Sequence, residues 1–131
     1  MAVRLGFPVV GVTDLSRASA FWSAALGLEV SPEWNSGNWR TLRHRGGGDR
    51  VLGLMRSSSP VERRPRLHLD RFVDAAEEQR SEVERLVALG AQQVAWDSYP
   101  PTPDFVVLAD PEGNVFCVVD LSHAPSGSGG S

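Results

Sequence analysis

The stretch that decides the fold runs from Val107 to Val119 and reads VLADPEGNVFCVV. Its middle, Asp110-Pro111-Glu112-Gly113, has aspartate first, proline second and glycine fourth, which is the pattern of a type I turn between two strands. The flanking residues are short runs of apolar and β-branched side chains. The sequence therefore predicts a hairpin whose strands are Phe105–Ala109 and Val115–Asp120.

Upstream of this hairpin, the sequence predicts a strand, a helix and a further strand. Leu67–Asp70 is the first strand, and the helix runs from Asp74 or Ala75 to Leu89. Gly90 ends the helix, and Gln93–Trp96 is the next strand. The apolar positions on the buried face of this helix are Val83, Leu86 and Val87.

The first half of the chain has the same order of predicted elements. Phe7–Val12 is rich in β-branched residues and predicts a strand. Thr13 and Asp14 supply capping side chains for a helix over Leu15–Leu26, and Gly27 ends it. The apolar stripe of this helix is Leu15, Ala18, Trp22 and Ala25. Three strands then follow at Leu28–Trp34, Trp39–His44 and Arg50–Met55.

The two halves also share letters, because Ala25-Leu26-Gly27 returns as Ala88-Leu89-Gly90, 63 residues later. The same element order around both copies indicates an internal repeat. We predict an α+β fold of two βαβββ modules that form a curved mixed sheet around a central cavity. One domain is expected over residues 1–123, with modules at about 5–58 and 65–121 and a flexible tail over 124–131.

Composition narrows the functional classes. The 131 residues are 41% hydrophobic and carry a formal charge of −3, which argues against a nucleic-acid-binding protein. No apolar run approaches the length of a membrane span, so we expect no membrane partner. All 13 basic residues are arginine, which excludes a Schiff-base lysine. The single cysteine, Cys117, cannot form an internal disulfide, so we expect a cytoplasmic protein.

The closing hairpin and five other stretches together resemble the vicinal oxygen chelate superfamily, which includes glyoxalases, bleomycin-resistance proteins, extradiol dioxygenases and epimerases. The likeness covers about residues 5–121 and is nearest to a small actinobacterial glyoxalase-like branch. It implies the two-module fold and a homodimer, but it does not fix an activity, because one fold hosts many functions. The other stretches are Val12-Thr13-Asp14-Leu15, Ala20-Phe21-Trp22, Leu26-Gly27-Leu28, Leu67-His68-Leu69-Asp70 and the segment VERLVALGA over 83–91.

The resemblance also implies where a metal would be held. Metal-dependent members place a His, Glu or Gln ligand in the first and last strand of each module. In this chain those positions fall at Phe7 or Pro8, near Met55, at His68 and at Cys117. Because one conventional ligand remains, we expect no metal site, with His68 as the ligand if a divalent metal is present.

His68 and Asp70 are the candidate catalytic residues. They alternate onto the same face of the predicted strand, so Asp70 can orient the imidazole of His68. A histidine held in this way is suited to proton transfer near neutral pH. The simpler alternative is a histidine that only hydrogen-bonds a neighbour. Cys117, between valines, is expected to be a small buried apolar residue.

The aromatic residues suggest a site for a planar apolar molecule, with a cation–π contribution from Arg40 or Arg43. The alternative for each ring is packing in the core or across a hairpin. The segment Arg63–Arg66 is expected to be a solvated connector, and Glu82 is expected on a solvated helix face close to Arg85. The predicted ligand-binding residues are Phe7, Trp34, Trp39, Met55, Trp96, Phe105 and Cys117.

Two functional hypotheses follow. In the first, the protein binds an apolar or aromatic metabolite or antibiotic without a metal, in sequestration or resistance. In the second, it is a small lyase, isomerase or cyclase of natural-product metabolism that uses His68 as acid or base, with or without a divalent metal. The missing ligands favour the first hypothesis over a metal-dependent glyoxalase.

Overall fold

The computed structural model describes residues 3–122, and the tail predicted over 124–131 lies outside the described residues. The described chain has eight strands and two helices and divides into two compact units between Pro60 and Val61. Each unit is a four-stranded mixed sheet with one helix. The predicted α+β class, with two βαβββ modules, is confirmed.

In the first module, one parallel and two antiparallel pairs build the sheet in the order β1-β4-β3-β2. The side chain of Asp14 accepts a hydrogen bond from the Arg17 N–H at 3.0 Å and so caps the helix as predicted. Gly27 ends it with φ 66°, a left-handed conformation that favours glycine. The elements are β1 (Val9–Val12), α1 (Leu15–Leu26), β2 (Leu28–Val30), β3 (Trp39–His44) and β4 (Arg50–Arg56).

The second module repeats this connectivity with the order β5-β8-β7-β6. Its first strand again pairs in parallel with its last, and the hairpin predicted from the turn at Asp110–Gly113 joins β7 to β8. The Asp110 carboxylate closes that turn by accepting from the Glu112 and Asn114 N–H groups at 2.9 and 2.8 Å. The elements are β5 (Leu69–Val73), α2 (Ala76–Ala88), β6 (Gln92–Gln93), β7 (Phe105–Ala109) and β8 (Val115–Asp120).

Strand β2 ends at Val30 instead of at Trp34 as predicted. Beyond Val30 the side chain of Asn35 makes hydrogen bonds to backbone groups that a longer β2 would otherwise engage. Its amide donates to the Ser31 carbonyl at 2.5 Å, and its oxygen accepts from the Thr41 N–H at 3.2 Å. Trp34 has φ 65°, which is incompatible with an extended strand.

Strand β6 is also shorter than the predicted Gln93–Trp96. The Val94 N–H still donates to the carbonyl of Val107 at 3.3 Å. The Val107 N–H instead donates to the hydroxyl of Tyr99, at 2.8 Å. The hydroxyl of Tyr99 therefore accepts the hydrogen bond from β7 that the backbone of a longer β6 was expected to accept.

Strand β5 begins at Leu69 and runs to Val73, whereas the sequence predicts Leu67–Asp70. Its parallel register matches Leu69 with Phe116 and Val73 with Asp120, so every residue of β5 pairs with β8. His68 consequently lies immediately before the strand and not within it.

The helices bury the predicted stripe in one module and only part of it in the other. In α1, all four predicted apolar positions are buried, together with Phe21. In α2, Leu86 is buried, but Val87 is 45% exposed. The prediction for Val87 is wrong because the polar helix packs over a narrower stripe than its apolar spacing indicates.

Candidate functional site

A cluster of three polar side chains forms where β5 begins beside β8. Asp70 lies opposite Cys117 in the parallel register of the two strands. The Nδ1 atom of His68 lies 3.1 Å from the Oδ1 atom of Asp70, so the sequence interpretation of this pair is consistent with the geometry. Donor atoms of all three residues lie within 4.8 Å of one another. The His68 side chain is 41% exposed and can meet a ligand from solution.

Cys117 is a protonated thiol in this cluster at neutral pH. It is 6% exposed, and burial raises its pKa to about 11, with a further contribution from the negative charge of Asp70. A nucleophilic cysteine needs a lowered pKa and nearby positive charge. Cys117 therefore acts as a buried apolar residue and not as an activated thiolate.

The donor set does not suit a hard divalent metal such as Mg²⁺ or Mn²⁺. Mg²⁺ and Mn²⁺ need several oxygen ligands, and this cluster offers the single carboxylate of Asp70. A softer ion such as Zn²⁺ could use all three ligand types, and it would displace the proton of the Cys117 thiol on binding. In the first module, Phe7 and Met55 contribute no conventional ligand atom.

A cleft of about 600 Å³ lies on the same side of the second sheet as Cys117. We call this side the cysteine face; it carries the buried residues Val107, Cys117 and Val119. Val115, two residues before Cys117 on β8, is packed against that cluster and also lines the cleft. The full lining is Arg63, Arg64, Val94, Ala95, Trp96, Asp97, Gly113 and Val115.

Arg64 is fixed within this cleft by three neighbours. Its guanidinium carbon lies 5.5 Å from the centroid of the Trp96 ring, which is a cation–π distance. It forms an ion pair with Asp97 and donates to the Ser98 hydroxyl at 2.9 Å. The Arg64 hydrogen bond also lowers the pKa of Asp97. The three arginines of the segment Arg63–Arg66 are exposed, as predicted for a solvated connector, and Arg64 makes these contacts in addition.

The cysteine face brings together three of the predicted ligand-binding residues, Trp96, Phe105 and Cys117. The Phe105 ring packs against Tyr99 with centroids 5.2 Å apart. Both rings are only partly buried, so the Tyr99–Phe105 pair leaves apolar surface accessible beside the cluster.

The other predicted residues, Phe7, Trp34, Trp39 and Met55, belong to the first module. Phe7 and Trp39 pack with centroids 6.2 Å apart, and the Arg50 guanidinium lies 5.4 Å from Phe7 and 5.6 Å from Trp34. Met55, which is 47% exposed, faces Trp39 in register. These contacts form a second aromatic surface.

The cation–π arginines differ from the predicted Arg40 and Arg43. Arg43 forms an ion pair with Glu29, with an Nε–Oε2 distance of 2.7 Å. Arg40 donates to the carbonyl of Trp39 at 2.9 Å and so binds the backbone beside the ring. Arg50 and Arg64 occupy the positions over aromatic rings instead.

Glu82 also departs from its predicted place on a solvated face. Its side chain is 11% exposed and receives hydrogen bonds from Arg71 at 3.0 Å and from Arg85 at 2.8 Å. The pKa of Glu82 is lowered, first by the bond from Arg85, and partial burial opposes this. The predicted proximity to Arg85 is confirmed, and the contact of Glu82 with Arg71 ties α2 to β5.

Sequence reasoning missed Arg63, Arg64, Asp97 and Tyr99 as parts of the site. Arg64 and Asp97 are 33 positions apart, so no local pattern predicts their ion pair. The available signal was the adjacency of Trp96 and Asp97, which places a ring and a carboxylate together on one loop.

A family model described as a glyoxalase-like domain matches residues 8–119, which include both modules and every residue of the cleft. The chain belongs to the glyoxalase-like domain family. The structural neighbours of this glyoxalase-like protein include members of the glyoxalase, bleomycin-resistance and dioxygenase superfamily. No curated protein matches the sequence.

Three solved structures illustrate the likeness. A glyoxalase/bleomycin resistance protein/dioxygenase family enzyme from Burkholderia phytofirmans PsJN has 21% identity and a TM-score of 0.66, over 88% of this chain and 96% of its own. A glyoxalase-related enzyme from Fulvimarina pelagi has 22% identity and a TM-score of 0.64, over 98% and 96%. A variant of the fosfomycin resistance protein FosX from Listeria monocytogenes, solved with Mn(II) and 1S,2S-dihydroxypropylphosphonic acid, has 21% identity and a TM-score of 0.66, over 91% and 90%.

At these identities the neighbours establish the fold of the glyoxalase-like protein and leave its activity open. Neither helix within residues 3–122 combines the length and the apolar character needed to cross a membrane.

Proposed function

We propose that this glyoxalase-like protein binds an apolar or aromatic small molecule, a metabolite or an antibiotic, in sequestration or resistance and without a metal. The observation that carries the proposal is the cleft at the cysteine face, where Trp96 offers a ring beside the fixed guanidinium of Arg64. A volume of about 600 Å³ falls in the usual range for small-molecule sites. Val94 and Val115 supply further apolar lining.

The names of the neighbours support this proposal at the level of the superfamily. Bleomycin resistance and fosfomycin resistance both appear among them, and each concerns a small molecule. The cluster around His68 offers one carboxylate and not the several oxygen ligands that Mg²⁺ and Mn²⁺ need, which supports the metal-independent form.

Tryptophan emission tests the proposal. Titration of a panel of aromatic metabolites and antibiotics is expected to quench emission, and Trp96→Phe is expected to remove the quenching that a bound ligand causes. Trp34→Phe is the matched control because Trp34 is 66% exposed and belongs to the other module. A ligand recovered chemically altered, or quenching that Trp34→Phe removes and Trp96→Phe does not, contradicts the proposal.

A second function is favoured by the distance of 3.1 Å between His68 and Asp70. A lyase, isomerase or cyclase would use His68 as acid or base, with Asp70 orienting the ring through Nδ1 so that Nε2 faces the substrate. If the bound molecule is converted, His68→Gln should abolish turnover, whereas His44→Gln, an exposed histidine of the first module, should not. Equal turnover in both variants would remove His68 from the mechanism.

We also propose a cytoplasmic homodimer with no nucleic-acid or membrane partner. The charge of −3 and the single, buried cysteine support this setting, and the dimer rests on the family alone. Light scattering during size-exclusion chromatography should give twice the mass of one chain. A monomer at micromolar concentration would contradict the dimer and leave the binding proposal untouched.

A further inference from the structure

The cleft at the cysteine face carries positive charge although the whole protein carries a charge of −3. Two arginines and one aspartate line it, which leaves a net charge of +1. The carboxylate of Asp97 is already committed to Arg64. The excess charge therefore belongs to Arg63.

Arg63 has no ion pair or hydrogen bond with any residue between 3 and 122. The guanidinium group prefers planar, bidentate contacts with carboxylates and phosphates. An arginine that lines a cleft without such a partner offers this contact to a ligand. Its neighbour Arg64 differs, because the Arg64 guanidinium already contacts Asp97, Ser98 and the Trp96 ring.

The backbone around Arg63 is held on both sides. Val61 packs on the closing turn, where a Cβ atom at Gly113 would lie 3.2 Å from its Cγ2 atom. Arg64 is fixed by the contacts described above. Arg63 lies between these two contacts, which limit the positions that its backbone can adopt. Such preorganisation reduces the entropy that binding costs.

We infer that the ligand of this cleft is an aromatic or apolar molecule that carries a carboxylate, and that Arg63 binds the carboxylate while the Trp96 ring contacts the apolar body. This inference rests on the proposed binding function and names the chemical class of its ligand. The arrangement selects against the neutral amide of the same shape, because an amide cannot accept both N–H bonds of the guanidinium fork as an anion does.

Matched pairs of acids and amides test the inference. Benzoate, 2-naphthoate and indole-3-carboxylate are each compared with the corresponding amide by titration followed in ¹H–¹⁵N spectra, with the tryptophan indole signals as readout. The wild type is expected to bind each acid about five- to tenfold more tightly than its amide, because a charge-assisted hydrogen bond is stronger than a neutral one but solvent weakens it in an exposed cleft. Arg63→Gln should remove the preference and leave amide binding unchanged.

Arg66→Gln is the matched control, since it removes the same charge from the same connector but does not line the cleft. Acid preference retained in Arg66→Gln and lost in Arg63→Gln supports the inference. Equal binding of acid and amide by the wild type overturns it but leaves the binding function intact, as does a preference that Arg63→Gln retains. If neither acids nor amides move the Trp96 indole signal, both the inference and the proposed function fail.

Discussion

Asp70 lies directly opposite Cys117 in the parallel pair of β5 and β8, and its charge acts with burial to keep the thiol protonated. We expect Cys117 to react slowly with iodoacetamide at pH 7 and to gain reactivity only as the pH approaches about 11. Asp70→Asn should lower this pKa part of the way towards the ordinary value, because burial remains. The pH dependence of the alkylation rate in the folded protein measures both effects, and rapid alkylation near pH 7 would contradict them.

The same pKa makes stability depend on pH in the alkaline range. The thiol of the unfolded chain loses its proton near pH 9.0, whereas the folded chain retains it up to about pH 11. The protonated thiol therefore contributes fully to the free energy of unfolding below pH 9, and this contribution is lost as the pH rises from 9 through 11. We expect the free energy of unfolding to fall by about 1–2 kcal/mol between pH 8 and pH 10 on this account. Cys117→Ala, which cannot titrate, should lack this part of the decrease in urea unfolding.

Metal removal separates the metal-independent proposal from its alternative. Dialysis against EDTA is expected to change the affinity for an aromatic ligand by less than about twofold, because no metal ligand lines the cleft other than Asp97, which Arg64 holds. Isothermal titration before and after dialysis measures this. Loss of binding that Zn²⁺ restores in the wild type but not in Cys117→Ser would show that the His68 cluster holds a metal.

How well the sequence predicts a feature of this structure depends on how far apart in the chain the interacting residues lie. The hairpin at Asp110–Gly113 and the cap at Asp14 depend on residues within four positions, so the sequence predicts them correctly. Strand alternation likewise predicts that His68 and Asp70 meet. The ion pair of Arg64 with Asp97 spans 33 positions and has no periodic signal. Contacts between residues close together in the chain are therefore predictable from the sequence, whereas this ion pair between distant loops is not.

Tyr99 provides a test of how a loop side chain completes the second sheet. Its hydroxyl accepts from the N–H of Val107, a residue with no exposed surface, at 2.8 Å. Tyr99→Phe leaves that buried N–H without its partner, and we expect a loss of about 1–2 kcal/mol in the free energy of unfolding. Hydrogen exchange should also become faster at Val107 and remain unchanged at Leu42, a buried residue of the first sheet. Unchanged exchange at Val107 would mean that another acceptor replaces the hydroxyl.

Gly53 tests whether the aromatic residues of the first module are packing or ligand contacts. A Cβ atom there would lie 2.7 Å from Cη2 of Trp39 and 2.9 Å from Cε1 of Phe7, so both rings must move in Gly53→Ala. We expect a loss of about 1–3 kcal/mol in the free energy of unfolding, as for other overpacked cores. Gly37→Ala is the control because nothing lies within 4 Å of its Cβ position.

Ligand affinity in the folded Gly53→Ala protein then decides the role of these rings. Since the proposed site lies in the second module, displacement of Trp39 and Phe7 should leave the affinity for an aromatic ligand as it is in Gly37→Ala. Fluorescence titration at a temperature where both variants are folded measures this. A weaker affinity confined to Gly53→Ala would place the ligand against the first-module rings, because their displacement would then remove direct contacts that Trp96 and Arg64 do not supply.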